Sequence, residues 1–99
     1  MIVGGVNVSP AEVDALLRET LGVAEIGCCG VFDADLGEVV FAAIVLDGSR
    51  SERETLANLE AAAKGMSGLK RPRHYLVVDQ LPRNALGKLQ RGKIALLRG

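Results

Sequence analysis

The chain has 99 residues, with 12 basic side chains against 12 acidic ones and a formal charge of zero. That length holds one domain and little more, and the balanced charge gives no global attraction to nucleic acid, anionic lipid or a basic partner. Hydrophobic residues make up 48%, enough for a modest core in a domain small enough to be only marginally stable alone.

Ile2 and Val3 read as a strand, Gly4-Gly5 as a tight turn, and Val6 and Val8 as the returning strand. The chain thus opens mid-pattern, as the second half of a larger unit would. No signal peptide is expected, because glycines follow the first three residues at once. Ser9-Pro10-Ala11-Glu12 is a helix start: Ser9 caps, Pro10 suits the first turn and Glu12 completes a capping box. Val13, Leu16, Leu17 and Leu21 follow at helical spacing, and Gly22 is expected to end the helix.

Val23 to Phe32 is nearly all apolar and reads as a strand covered on both faces. Within it the adjacent Cys28 and Cys29 lack the spacing of a zinc site and the geometry of an easy disulfide. They read as small core residues of a protein in a reducing, cytoplasmic setting. Asp33 to Gly37 is a turn of about five residues, within the usual hairpin range, and Glu38 to Leu46 is the returning strand. Ser51 and Glu54 form a second capping box, Leu56, Leu59, Ala63 and Met66 make one apolar stripe, and Gly65 and Gly68 weaken and end this helix. Leu69 to Arg73 is a basic link, His74 to Val78 a third strand, and Asp79 to Gly87 a loop. Arg91 to Arg98 is a short helix anchored by Ile94 and Leu97. The order predicts an α+β domain, a small mixed three-stranded sheet with an N-terminal hairpin and helices packed on it. No stretch reaches the roughly 18 apolar residues of a membrane span.

Three features are candidates for function. In Leu81-Pro82-Arg83-Asn84-Ala85-Leu86-Gly87-Lys88, Pro82 stiffens the loop and Gly87 turns the backbone just before a lysine. A compact, mobile ammonium there suits an anionic substrate group, although a surface-loop lysine taken alone is usually just solvated. Gly4-Gly5 permits close approach of backbone to a ligand or another domain, and is equally the dipeptide of a plain hairpin turn. Lys70, Arg71, Arg73, Arg83, Lys88, Arg91, Lys93 and Arg98 gather late in the chain. They could meet phosphates or form a solvated face; no aromatic residues interleave to stack bases. His74 is the sole histidine, so no metal site is expected, and no Ser-His-Asp or Cys-His set assembles.

Together these segments resemble the C-terminal (lid) domain of acyl-CoA synthetases, in the adenylate-forming (AMP-binding) superfamily that also contains luciferases and peptide-synthetase adenylation domains. Gly4-Gly5-Val6-Asn7-Val8-Ser9-Pro10-Ala11-Glu12-Val13 resembles the family's glycine hairpin and helix start. Gly22-Val23-Ala24-Glu25, Gly30-Val31-Phe32-Asp33 and Leu36-Gly37-Glu38 are similar to its long strand and turn. Lys70-x-Pro72, Val77-Val78-Asp79-x-Leu81-Pro82-Arg83 and Gly87-Lys88-x-x-Arg91 are similar to its closing signature. The resemblance covers almost the whole chain, and the Asn-Val-Ser-Pro hairpin is more like acyl- and aryl-CoA ligases than peptide-synthetase domains.

The resemblance implies a two-step acid-thiol ligase using ATP, Mg2+ bound mainly by another domain, and coenzyme A. A carboxylic acid attacks the α-phosphorus of ATP to give an acyl-adenylate, and the thiol of coenzyme A then displaces AMP. Lys88 is the implied catalytic residue of the first step. After a hinge rotation, Gly4, Gly5 and Val6 line the pantetheine tunnel, and Lys70 and Arg73 are implied contacts to coenzyme A phosphates. Acetylation of Lys88 would remove its charge and stop the first step. The resemblance also implies a place in fatty acid metabolism. The large N-terminal domain of the same enzyme is the expected partner, and it and the hinge are expected to precede Met1. The chain then reads as an excised or proteolysed piece, inactive by itself. The alternative is a stand-alone binding or regulatory module with the same fold, which a native reading frame of only this length would favour. A nucleic-acid binder is disfavoured by the neutral charge and the scarcity of aromatics.

Overall fold

The computed structural model describes residues 1–98. In chain order the elements are β1 (Ile2–Val3), β2 (Val6–Asn7), α1 (Pro10–Leu17), β3 (Val23–Asp33), β4 (Gly37–Leu46), α2 (Glu52–Ala63), β5 (His74–Val77) and α3 (Arg91–Leu97). The main sheet has the order β3-β4-β5, with β3 antiparallel and β5 parallel to β4. β1 and β2 form a separate two-stranded hairpin. The mixed sheet and its flanking helices are the predicted α+β architecture.

Side chains alternate across a strand, and here the alternation serves two cores. Ile26, Cys28, Val40, Ala42 and Ile44 face one side, where Val3, Val8, Val13, Leu17 and Leu59 cover them. Cys29, Val31, Val39, Phe41 and Ala43 face the other, under Leu81 and Ile94. The strand β3 is therefore covered on both faces, as its nearly all-apolar run requires. Gly27 brings α3 close: a Cβ there would come within 2.7 Å of Ile94 Cδ1.

Several boundaries differ from the sequence reading, each for a local reason. The helix α1 ends at Leu17 with Arg18 as its C-cap, so Gly22 does not terminate it. Gly22 instead lies at φ +97° against α2, where a Cβ would overlap Thr55 Oγ1. Of the leucines assigned to the helical stripe, only Leu17 is buried; Leu16 sits on the flank and Leu21 beyond the helix end, both exposed. Ser9 caps as expected, its Oγ accepting from the Glu12 N–H at 3.3 Å. Glu12 does not return the bond; its carboxylate reaches Lys70. The box at α2 is complete, with Ser51 and Glu54 bonding each other's backbone N–H.

The β3–β4 connection is shorter than five residues, because Asp33 and Gly37 pair as strand. Asp33 Oδ1 holds the turn by accepting from the N–H groups of Asp35 and Leu36. Those bonds, joined by His74, hold its carboxyl below the usual carboxylate range. β5 stops at Val77, one residue short of the expected end. In α3, Ile94 is the buried anchor and Leu97 is exposed, because seven residues give barely two turns with one inward stripe. No helix among the described residues is long and apolar enough to cross a membrane.

Candidate functional site

The loop before Lys88 is folded by its own polar groups. Its ends are drawn together by an isolated bridge between Arg83 and Leu89 and by Gln90 N–H donating to Pro82 O at 3.0 Å. Inside, Asn84 N–H donates to Lys88 O at 2.9 Å, and Gly87 N–H donates to Asn84 O at 2.9 Å. Gly87 sits at φ +83°, a turn that side chains disfavour. Leu81 below the loop is buried in the second core. Arg83 braces the loop from outside, donating to Gly87 O at 2.8 Å and to Glu25 Oε1 of β3 at 2.7 Å. Lys88 itself is exposed.

The late basic residues separate into two groups. Lys70 pairs with Glu12 at 2.6 Å, Arg83 with Glu25 at 2.7 Å, and Arg91 with Asp14 at 2.8 Å. Arg71 donates to the carbonyls of Met66 and Lys64, and Arg98 to that of Phe32. Among the described residues the side chains of Lys88, Arg73 and Lys93 have no such partner. A solvated ammonium on a shaped loop can meet an incoming anion without first breaking an ion pair. Lys70, implied as a phosphate contact, would have to share its charge with Glu12.

Arg91 belongs to the expected closing signature, and its role here is structural. β3 is an edge strand, so the N–H and C=O of Cys28 point away from the sheet. Asp14 Oδ1 accepts from Cys28 N–H at 2.7 Å, and Arg91 Nη1 donates to Cys28 O at 2.6 Å. With the Asp14–Arg91 ion pair, the two side chains occupy the edge as a neighbouring strand would. Burial, and then the Asp14 carboxylate, push the Cys28 thiol up; burial does the same to Cys29. Both cysteines are free and buried. Neither Asp14 nor Asn84 carried a role in the sequence reading. The signal for Asn84 was present: an Asn before a Gly-containing turn bonds backbone N–H groups two residues on.

The glycine hairpin stands elsewhere. Gly4 and Gly5 have φ +56° and +80°, the positive values that a primed two-residue turn requires. A Cβ on Gly4 would meet Leu69 Cδ2 at 2.8 Å, whereas a Cβ on Gly5 would meet nothing within 4 Å. Gly4, Leu69 and Arg73 line a cavity of about 100 Å³ together with Val3, Leu36, Glu38, Val39 and Val40. Ile2 N–H is pinned to Glu38 Oε1 at 2.7 Å. Gly4, Val6 (exposed on β2) and Arg73 thus gather at one end of the molecule, and Gly5 leaves open space there.

The two candidate regions are far apart. The Lys88 loop is tied to Glu25 near the start of β3, and the hairpin to Glu38, which pairs with Phe32. Seven residues of strand separate Glu25 from Phe32, roughly 23 Å at about 3.3 Å per residue. The loop also packs over the Phe41–Ile94 core and the hairpin over the Val13–Leu59 core, on opposite faces of the sheet.

The chain belongs to the family of AMP-binding enzyme C-terminal domains, whose family model matches residues 12–88. It is 40% identical over 94 residues to the 2-succinylbenzoate–CoA ligase of Bacillus licheniformis, spanning 95% of this chain and 19% of that enzyme. Among solved structures, it is similar to a double mutant of o-succinylbenzoate CoA synthetase (MenE) from Bacillus subtilis bound with its product analogue OSB-NCoA. That likeness has a TM-score of 0.80 and 39% identity, over 94% of this chain and 19% of the other. The anthranilate CoA ligase AuaEII in complex with anthranoyl-AMP is similar with a TM-score of 0.85 and 32% identity, over 98% of this chain and 19% of the other. The chain therefore spans about a fifth of the length of the ligases it matches.

Proposed function

We propose that this domain works as the C-terminal lid of an ATP-dependent acyl-CoA ligase, together with a large N-terminal domain of the same enzyme. It would supply Lys88 to acyl-adenylate formation and the glycine hairpin to thioester formation. The observation that carries the reading is the Lys88 ammonium, exposed and without an ion-pair partner among the described residues, on a braced loop one strand length and one sheet face away from Gly4-Gly5. A site for one step could hold both features side by side. Two features on opposite faces fit a rigid body that presents first one and then the other by domain rotation about a hinge.

In the first step two anions meet, a carboxylate and the α-phosphate of ATP. Charge builds on the phosphoryl oxygens as the acyl oxygen bonds to phosphorus and pyrophosphate leaves. A positioned ammonium offsets that charge, more strongly once water is excluded. Residues 83–88 carry no carboxylate, and Asn84 commits its side-chain oxygen to backbone N–H groups. The Mg2+ that accompanies ATP would be held mainly by the large domain. In the second step the coenzyme A thiol attacks the acyl carbon and AMP leaves. The open space over Gly5 suits passage of the pantetheine arm, and Arg73 at the same end offers a charge to its phosphates. Lys70 can add a second charge if it yields Glu12. The free, buried cysteines support a cytoplasmic setting. The acids named for these two relatives, 2-succinylbenzoate and anthranilate, are aromatic and support an aromatic acid as substrate.

The test is Lys88→Ala in the full-length ligase that carries this domain. Pyrophosphate exchange, which reports adenylation, is expected to fall by at least about 10²-fold, the cost of one well-placed stabilising group. Thioester formation from supplied acyl-adenylate is expected to persist. Equal loss of both half-reactions in a folded variant would remove Lys88 from this role.

A further inference from the structure

Asn84 opens the turn that Lys88 closes, and it holds that turn through both its backbone and its side chain. The carboxamide Oδ1 accepts from Leu86 N–H at 2.9 Å and from Lys88 N–H at 3.0 Å. Its main chain makes the two further bonds to Lys88 and Gly87 described above. Residues 83–88 are all exposed, so burial does not shape this segment; polar contacts do. Arg83 ties the outside of the same turn to Gly87 and to Glu25. Two side chains thus fix the Lys88 backbone relative to β3, while the Lys88 ammonium makes no contact of its own among the described residues.

We infer that Asn84 is a positioning residue for acyl-adenylate formation, which rests on the reading of Lys88 given above. Its carboxamide fixes the Lys88 N–H before the domain closes, so the ammonium arrives on a preset stem. Ordering that would otherwise be needed at the moment of reaction is already met in the free domain. The loop then moves with the sheet as one body.

The experiment compares Asn84→Ala and Asn84→Ser with the wild type and with Lys88→Ala, all in the full-length ligase. Serine keeps a shorter, weaker acceptor for the same N–H groups. Misplacement by about 1 Å can cost about 10²-fold in rate. Asn84→Ala is therefore expected to lower kcat for pyrophosphate exchange by about tenfold to a hundredfold, with the KM for ATP little changed. Asn84→Ser should lie between Ala and the wild type. Both variants should make thioester from supplied acyl-adenylate at the wild-type rate. Wild-type exchange in Asn84→Ala, beside an inactive Lys88→Ala, overturns this inference alone. Undiminished exchange in Lys88→Ala overturns the underlying reading and this inference with it. Equal loss of both half-reactions in Asn84→Ala shows a general structural role and also overturns it.

Discussion

Replacing Asp14 by alanine should unfasten the edge of the sheet. The carboxylate receives Cys28 N–H at 2.7 Å and Arg91 Nη2 at 2.8 Å, and its own side chain is 13% exposed. Hydrogen bonds to charged groups contribute about 1.5–3 kcal/mol each. Arg91 is 31% exposed and can recover part of its hydration, which lowers its share. The edge N–H of Cys28 loses its partner outright. The expected loss is about 2–4 kcal/mol, a large part of the roughly 5–15 kcal/mol available to a domain. At about 4–8 °C per kcal/mol for a chain this size, the melting temperature should fall by roughly 8–32 °C. Asp14→Asn keeps an oxygen for Cys28 and gives up the ion pair, so it should lose about half as much. Urea unfolding of the three proteins, followed by far-ultraviolet circular dichroism, reads these differences directly. A loss below about 0.5 kcal/mol in Asp14→Ala would mean that water replaces the carboxylate without cost, and the edge-plug interpretation of Arg91 would be wrong.

Two further outcomes follow from the packing. Tyr75 OH is buried without a hydrogen-bond partner among the described residues, and burial pushes its pKa from 10.0 up to about 12. The unfolded chain therefore sheds that proton at lower pH than the native one, and stability should fall as pH rises from about 10 to 12. Tyr75→Phe should flatten that part of the profile and leave neutral-pH stability equal or higher, since an unpaired hydroxyl leaves the core; a clear loss at pH 7 in a urea titration would contradict this. Gly22→Ala must place a methyl on Thr55, which is fully buried, in a backbone conformation that disfavours it. It should cost about 2–4 kcal/mol through overpacking and strain together, against about 1 kcal/mol for Gly48→Ala, which has φ +84° and no neighbour within 4 Å; equal melting temperatures for the two variants would refute it.

The elements were legible because their signals are local. Ser51 and Glu54 announce a helix whatever surrounds them, and the run from Val23 to Phe32 demands cover on both faces. The Gly4-Gly5 turn and the exposed Lys88 likewise follow from residue type and neighbours. What escaped reading depends on residues distant in sequence. Arg91 looks like a phosphate ligand until Asp14, 77 residues away, is seen to claim it. Glu12 looks like half of a capping box until Lys70 draws its carboxylate off, across 58 residues. Gly22 follows a helical pattern and so reads as a cap; only the arrival of Thr55 from α2 explains why no side chain fits. Leu16 and Leu21 keep helical spacing, but Leu16 lies on the exposed flank of α1 and Leu21 beyond its end at Leu17, so periodicity alone overstated the core. The separation of Lys88 from the hairpin was also invisible, because it is a property of the sheet and not of either motif.

The decisive measurement is a crossed pair of half-reactions in the full-length ligase, with Lys88→Ala on one face and Gly5→Leu on the other. Gly5 has room for a side chain within the domain, and the strain of φ +80° costs stability without favouring either half-reaction, so in a folded variant a selective effect falls on whatever passes over the hairpin. The expected result is a double dissociation: Lys88→Ala fails in pyrophosphate exchange and still makes thioester from supplied acyl-adenylate, while Gly5→Leu does the reverse. If both folded variants lose the same half-reaction, the two faces do not serve separate steps, and the lid reading of this domain is contradicted.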